Sequence, residues 1–362
     1  MHMGIKHIDW YIIRKFLGTF FFALALIISI AIVFDISEKI DDFLEKKAPI
    51  EAIVGDYYLN FIPYFANLFS PLFVFISVIF FTSKMAGQTE IVAILASGVS
   101  FRRLMAPYLA AALFIALLSL YLNNFVIPHS NTDRIAFETT YIKNPFVYKN
   151  RHVHRQIAPG EFIYFESFNN IDRVGYQFSY ERIENGKMKY KLLAERILWD
   201  SLKNSWTLEN YFCRSIDSLQ EDMRSGFRMD TTLNFHPSEF NRRTNFIETM
   251  DTPELNRYIA QEIMRGSEEV PFYLVEKHKR ISYPFATFIL TIIGVSLSSR
   301  KVRGGIGVQI GAGILLSFTY ILFMQVSQTL ATNGGMPAWL AVWTPNLVFS
   351  VIAFVLYRKA ER

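Results

Sequence analysis

Uncharged apolar runs alternate with short charged segments over the first third and the last quarter of the chain. They cover residues 16–34, 59–83, 104–127 and 281–299, and a longer run extends over 304–357. Each of the first four is long enough for one helical crossing of a hydrocarbon core roughly 30 Å thick. The fifth is too long for one crossing, and the sequence NGGMP at 333–337 supplies a break. The pattern predicts six transmembrane helices, three on each side of a large insert. Between the second and third runs, residues 84–103 are too polar to be a span. Ile91, Ile94 and Leu95 nevertheless recur there at helical spacing. A short amphipathic helix at about 86–97 follows, with Gly98 as its C-terminal cap and Ser100 capping the next helix. Its apolar face calls for a partner outside the membrane.

The insert reads differently. Residues 161–168, 175–183, 187–200 and 205–212 are aromatic-rich and partly alternating, and Pro-Gly, Asn-Asn, Asn-Gly and Lys-Asn pairs separate them. Short antiparallel strands at this spacing suggest a sandwich, jelly roll or open barrel. A connecting helix at about 252–266 starts with Thr252 as N-cap and Pro253 in the first turn. The predicted fold is thus a polytopic α-helical membrane protein, six helices in a 3+3 arrangement, with an inserted extracytoplasmic β domain that is a sandwich, jellyroll-like or an open barrel. The domains run 1–127, 128–280 and 281–362.

Composition supports the membrane class, with 51% apolar and 16% aromatic residues. The net charge of +5 is no sign of nucleic-acid binding, because basic and acidic residues balance at 22 each between Pro128 and Arg280. Short loops set the orientation. Lys6, Arg14 and Lys15 precede the first span, Lys84, Arg102 and Arg103 lie between the second and third, Arg300, Lys301 and Arg303 follow the fourth, and Arg358, Lys359 and Arg362 follow the sixth. The positive-inside rule makes these segments cytoplasmic, so both termini lie inside and the insert outside. The first run is of full span length with no cleavage site after it, which argues against a cleaved signal peptide. Cys213 is the single cysteine, so no intrachain disulfide forms.

The chemistry of an energy source is missing from this sequence. No GxxxxGK[ST] phosphate loop occurs, so this chain is not expected to hydrolyse ATP, and no cofactor is expected in it. His152 and His154 form an HxH pair without a completing ligand set, and no metal site is expected. The spans carry no charge, which argues against an ion-coupled carrier. Pro63, Pro71, Pro107, Pro284 and Pro345 mark kinks, or bent helices around a cavity. Gly307 and Gly311 form a GxxxG pair suited to a subunit or gate contact, or to packing within the chain.

Several segments carry a resemblance: WYIIRKFL at 10–17, FDI at 34–36 through DDF at 41–43, EIVAILASGVS at 90–100, NFVIP at 124–128, and TPEL at 252–255 leading to EKHKR at 276–280. In this order the chain resembles the LptF/LptG (YjgP/YjgQ-type) lipopolysaccharide export permease family. The resemblance implies a non-enzymatic ABC-transporter permease subunit of the Gram-negative inner membrane. It implies as partners a cytoplasmic ABC ATPase dimer, a second permease of the family, a periplasmic jellyroll bridge protein and lipopolysaccharide itself. The amphipathic helix then looks like the family's coupling helix, with Ile91, Ile94 and Leu95 in a groove on the ATPase and Glu90 as the charged contact. Lys39, Lys46, Lys47, Lys277, Lys279 and Arg280 are candidates for lipid A phosphates, unless they pair with Asp41, Asp42 and Glu276. Phe61, Phe65, Phe69 and Phe73 line a lipid cavity or pack in the core. The competing readings are a permease for another lipid or lipoprotein, and a membrane sensor with a β ligand domain.

Overall fold

The computed structural model describes residues 7–144, 146–217, 220–241, 243–300, 305–333 and 335–361. Lys6, Lys301, Arg303 and Arg362 of the orientation argument, Gly304 of the fifth run and Gly334 of the break lie outside the described residues. The helices are α1 (His7–Glu45), α2 (Ile50–Gly87), α3 (Glu90–Ala96), α4 (Phe101–Tyr141), α5 (Thr252–Met264), α6 (Val270–Ser298), α7 (Gly305–Asn333) and α8 (Ala338–Glu361). All except α3 and α5 are long and apolar enough to cross a membrane. They outrun the uncharged runs because a helix can project its charged ends beyond the hydrocarbon. At 39 residues, α1 is about 58 Å long.

Two compact units result. The helical unit contains Met1–Ile142, Glu248–Leu255 and Pro271–Arg362, and the β unit contains Lys143–Ile247 and Asn256–Val270. In the helical unit, Ile12, Phe16, Phe20, Leu24 and Ile28 recur every four residues and form one buried stripe of α1. The stripe packs with Val74, Val78 and Phe81 of α2 and with Leu104, Tyr108 and Ala112 of α4. A second core joins Phe75 and Ile79 of α2 to α6, α7 and α8. Close approach there depends on two glycines. A Cβ on Gly294 would lie 2.9 Å from Val78 Cγ1, and one on Gly313 would lie 2.2 Å from Ile79 Cδ1. The GxxxG pair is placed otherwise: among the described residues, a Cβ on Gly307 or Gly311 meets nothing within 4 Å. Phe61 is buried and stacks on Phe65 with ring centroids 3.8 Å apart, which is core packing. Short π-helical segments at Ile53–Tyr58 and Leu122–Val126 lie within α2 and α4.

The β unit is one antiparallel sheet, β1 (Arg151–Ala158) to β6 (Gln220–Thr231), with β2 (Glu161–Asn169), β3 (Val174–Glu184), β4 (Lys187–Asp200) and β5 (Ser205–Asp217) between them in sequence order. The order is that of a meander, in which each described strand pairs with its sequence neighbour. Asn185 and Gly186 both take positive φ (51° and 73°), as the two-residue turn between β3 and β4 requires. Phe165, Phe178, Leu192, Ile197 and Trp206 form the buried face. Trp206 satisfies its indole N–H by donating to the Phe235 carbonyl at 3.1 Å. The N-cap of α5 is Asp251, not Thr252: its carboxylate accepts from Glu254 N at 2.7 Å. A carboxylate is the stronger acceptor at a helix N-terminus. Thr252 instead donates to Asn124 Oδ1 at 2.6 Å.

Candidate functional site

The loop between α2 and α4 is a short helix held by sharp turns at both ends. Thr89 precedes α3 with φ +63°, Gly98 follows it with φ +87°, and Ser100 caps α4 by accepting from Arg103 N at 3.2 Å. Two polar contacts brace the loop against the start of α1. Tyr11 donates its hydroxyl to Glu90 Oε2 at 3.2 Å. Arg103 donates Nη1 and Nη2 to the two oxygens of Asp9 at 2.7 and 2.6 Å, a paired fork that fixes orientation as well as charge. These contacts decide which side of α3 is free. Ile91 is fully buried in the chain's own core, and Ile94 is half-buried against it. Leu95 and Val92 are the exposed apolar residues, beside a partly exposed Glu90. The outward face of α3 thus carries Glu90, Val92 and Leu95, while Ile91 anchors the helix from behind.

A second polar site lies deeper in the helical unit, where α2, α4, the segment at 248–251 and α6 meet. Arg134 is the hub. It donates Nε to Asn131 Oδ1 at 3.1 Å and Nη1 to Glu138 at 2.9 Å, and its guanidinium lies over the Tyr64 ring at 4.5 Å. On α6, Glu276 takes Lys279 at 3.5 Å and Arg280 Nε at 3.4 Å, and Arg280 Nη1 donates to the Met250 carbonyl at 2.9 Å. Arg280 is 4% exposed. Tyr64, Asn131, Glu276, Lys279 and Arg280 line a cavity of about 40 Å³, room for a water or two. Of the six cations anticipated as a lipid-binding rim, Lys279 and Arg280 thus belong to an interior network. Lys39 pairs with Asp35, four residues back, rather than with Asp41 or Asp42, and also bonds the Tyr57 hydroxyl. Lys46 and Lys47 are exposed between α1 and α2, and Lys277 is half-buried.

Glu248 enters the network from outside the spans. Asn131 Nδ2 donates to its carbonyl at 3.4 Å and to Oε2 at 3.5 Å, and Arg134 stands 3.7 Å away. Burial, and then the charge of Glu276, push the Glu248 carboxyl up to about 7, against the pull of Lys279 and Arg134. A raised carboxyl pKa means that the folded chain binds this proton more tightly than the unfolded chain. Its stabilising share is full below the ordinary value of 4.5, falls as pH rises, and is gone above about 7. Thermal unfolding of the purified chain should therefore show a loss on the order of 1–3 kcal/mol from this group between about pH 5 and about pH 8. Glu248→Gln should remove that part of the slope. Identical slopes in the two proteins would show that the pH dependence comes from other groups.

Residues 10–359 match the family described as lipopolysaccharide export system permease LptF/LptG. The chain belongs to this family. It is also similar to an uncharacterized protein, RP871, of Rickettsia prowazekii (strain Madrid E), with 21% identity over 246 residues. That alignment covers 64% of this chain and spans 65% of the relative's length.

For an LptF/LptG chain, Asp9, Tyr11 and Arg103 are the residues that sequence reading passed over. Asp9 stands as a lone acid before Trp10, and its partner is 94 residues away, so spacing gave no signal. Glu248 lies far along the chain from Arg134 and escaped notice for the same reason, whereas the pairing of Arg134 with Glu138, four residues on, is intrahelical. Only the intrahelical part of each cluster, such as Glu276 with Lys279 and Arg280, follows from helical spacing.

Proposed function

We propose that this LptF/LptG chain is the permease subunit of an ABC transporter that takes lipopolysaccharide out of the inner membrane and passes it to a periplasmic bridge. The family match over nearly the whole chain carries this reading. The chain itself is a transporter component, with ATP hydrolysis on a separate cytoplasmic ATPase dimer that docks on α3. Support comes from the braced, partly exposed Glu90 beside Val92 and Leu95. The cations Arg14, Lys84, Arg103, Arg300 and Arg358 flank spans at the end where α3 lies, which favours that end as cytoplasmic. The same rule favours a periplasmic β unit. A second permease is proposed against α1 and α7, the two least buried spans, where Gly307 and Gly311 leave an open face for close helix contact. Lys46, Lys47 and Lys277 are better placed than Lys279 or Arg280 to meet lipid A phosphates.

Co-expression with the ATPase and reconstitution into lipopolysaccharide-containing vesicles tests the reading. Glu90→Lys should insert and unfold like the wild type but lose at least about tenfold in ATPase association, a loss of about 1.4 kcal/mol, and ATP-dependent lipopolysaccharide release should fall with it. Undiminished coupling in both Glu90→Lys and Glu90→Ala would move the contact elsewhere. A wild-type complex that releases another lipid and not lipopolysaccharide would overturn the substrate.

A further inference from the structure

A groove of about 500 Å³ opens between α4, α6 and α8 at the end of the helical unit where α3 lies. Its existence follows from residue sizes on three facing helices. Ala106 of α4 and Ser350 and Ala353 of α8 are too small to fill the space, and Met105, Leu109, Ile289 and Ile292 line the remaining walls. Phe101 and Tyr357 close the groove at the α3 end with ring centroids 5.6 Å apart. The walls stand without a ligand. Ala353 belongs to the core shared by α2, α6, α7 and α8. Just after α6, Arg300 Nη2 donates to the carbonyls of Lys359 and Ala360 at the end of α8, at 3.0 and 3.3 Å.

The charged groups of this groove are concentrated at one end, and at the other Ser350 adds a single hydroxyl. Arg102 lines the charged end and is exposed. The Arg358 guanidinium lies 5.6 Å from the ring centroid of Phe354, a groove residue that is 61% exposed. Glu361, beside Tyr357, is the acid nearby. Two guanidinium groups thus border an almost wholly apolar slot whose lining runs along two turns of α4 and α8, roughly 10 Å. The volume falls in the range of single-ligand pockets, about 300–1,000 Å³. An apolar body with an anion at one end fits this distribution, and a guanidinium fork matches phosphate geometry. Basic pockets between transmembrane helices are suited to anionic lipid head groups.

The geometry points to a binding site for an anionic glycerophospholipid of the leaflet on the α3 side, with one acyl chain in the α4–α6–α8 groove and its phosphate on Arg102 and Arg358. The site uses none of the residues proposed to meet lipopolysaccharide or the ATPase, so it holds or fails independently of those roles. It also involves neither α1 nor α7, so a second permease on those spans leaves it open. A bound lipid there fills the slot between the start of α4 and the end of α8, beside the Phe101–Tyr357 ring contact.

Native mass spectrometry of the purified full chain, titrated with phosphatidylglycerol or with phosphatidylcholine of the same acyl chains, tests the assignment. Wild type should retain one phosphatidylglycerol about fivefold to tenfold more strongly than phosphatidylcholine. Arg102→Gln combined with Arg358→Gln, both at exposed positions, should abolish the preference. Ala353→Phe, or Ala106→Phe on the more exposed wall if the first disturbs folding, should displace both lipids. Equal retention of the two lipids by wild type, an unchanged preference in the arginine variant, or unchanged binding in a folded groove-filled variant would each overturn the site. So would occupation of the groove by a second copy of the chain, seen as a dimer that the groove-filling variants dissociate.

Discussion

Arg280→Ala is expected to cost about 3–5 kcal/mol of unfolding free energy, the range for removing one member of a buried ion pair. The substitution strips Glu276 of a partner at 3.4 Å and leaves the Met250 carbonyl without the N–H that reaches it at 2.9 Å. Lys279, 3.5 Å from the same carboxylate, remains as a counter-charge and puts the expected value at the lower end. Arg280→Lys keeps the charge and loses the fork, so roughly half of the loss should return. The measurement is denaturant or thermal unfolding of the purified chain in one fixed detergent. A variant within about 0.5 kcal/mol of wild type, with weakened lipopolysaccharide binding, would restore Arg280 to the lipid-binding rim and remove it from the interior network.

Gly313→Leu is the second large effect, an overpacking cost of about 1–3 kcal/mol or more. The new Cβ would fall 2.2 Å from Ile79 Cδ1, and Ile79 is itself 1% exposed in the core that joins α2 to α6, α7 and α8. Cδ1 is the far end of a flexible side chain, so rotation of Ile79 within that buried core sets how much of the cost is felt. Pairing the substitution with Ile79→Ala should recover part of the loss, because the smaller side chain vacates the contested volume. Gly307→Leu and Gly311→Leu, set in open space, should leave the unfolding of the single chain unchanged and weaken only its association with a second permease. Equal stability of the Gly313 and Gly307 variants would contradict the described approach of α7 to α2.

Those two glycine sites show where sequence reading stops. The GxxxG spacing of Gly307 and Gly311 is visible along the chain, but the direction that helix face points is a property of the bundle. The glycine that meets a neighbour, Gly313, carries no motif that singles it out. The spans themselves were legible because hydrocarbon demands long uncharged runs, and β2 to β5 because one face is buried and the other is not. The strands β1 and β6 were not. In β1 only Val153 and Ile157 are buried, and in β6 no described side chain is, so these edge strands keep few side chains inside, and β6 reads as a polar segment. Helical spacing directed attention to α3 through Ile91, Ile94 and Leu95, yet its apolar residues divide between an anchor at Ile91 and an exposed pair at Val92 and Leu95. Periodicity marks an apolar stripe without saying whether the chain itself covers it.

The sequential strand order has a consequence for biogenesis. Every strand pairing in the sheet joins chain neighbours, so the meander can zip up by successive hairpins as the polypeptide emerges, with low contact order. It need not wait for the last three spans to be synthesised. The first three spans likewise bury the α1 stripe largely among themselves, with Val295 the buried residue that α6 adds to that core. The core around Phe75 and Ile79 is different, because its partners lie on α6, α7 and α8. Assembly of the chain therefore has a natural order: an early three-span platform, a self-completing sheet, and a late closure in which the second half docks on α2.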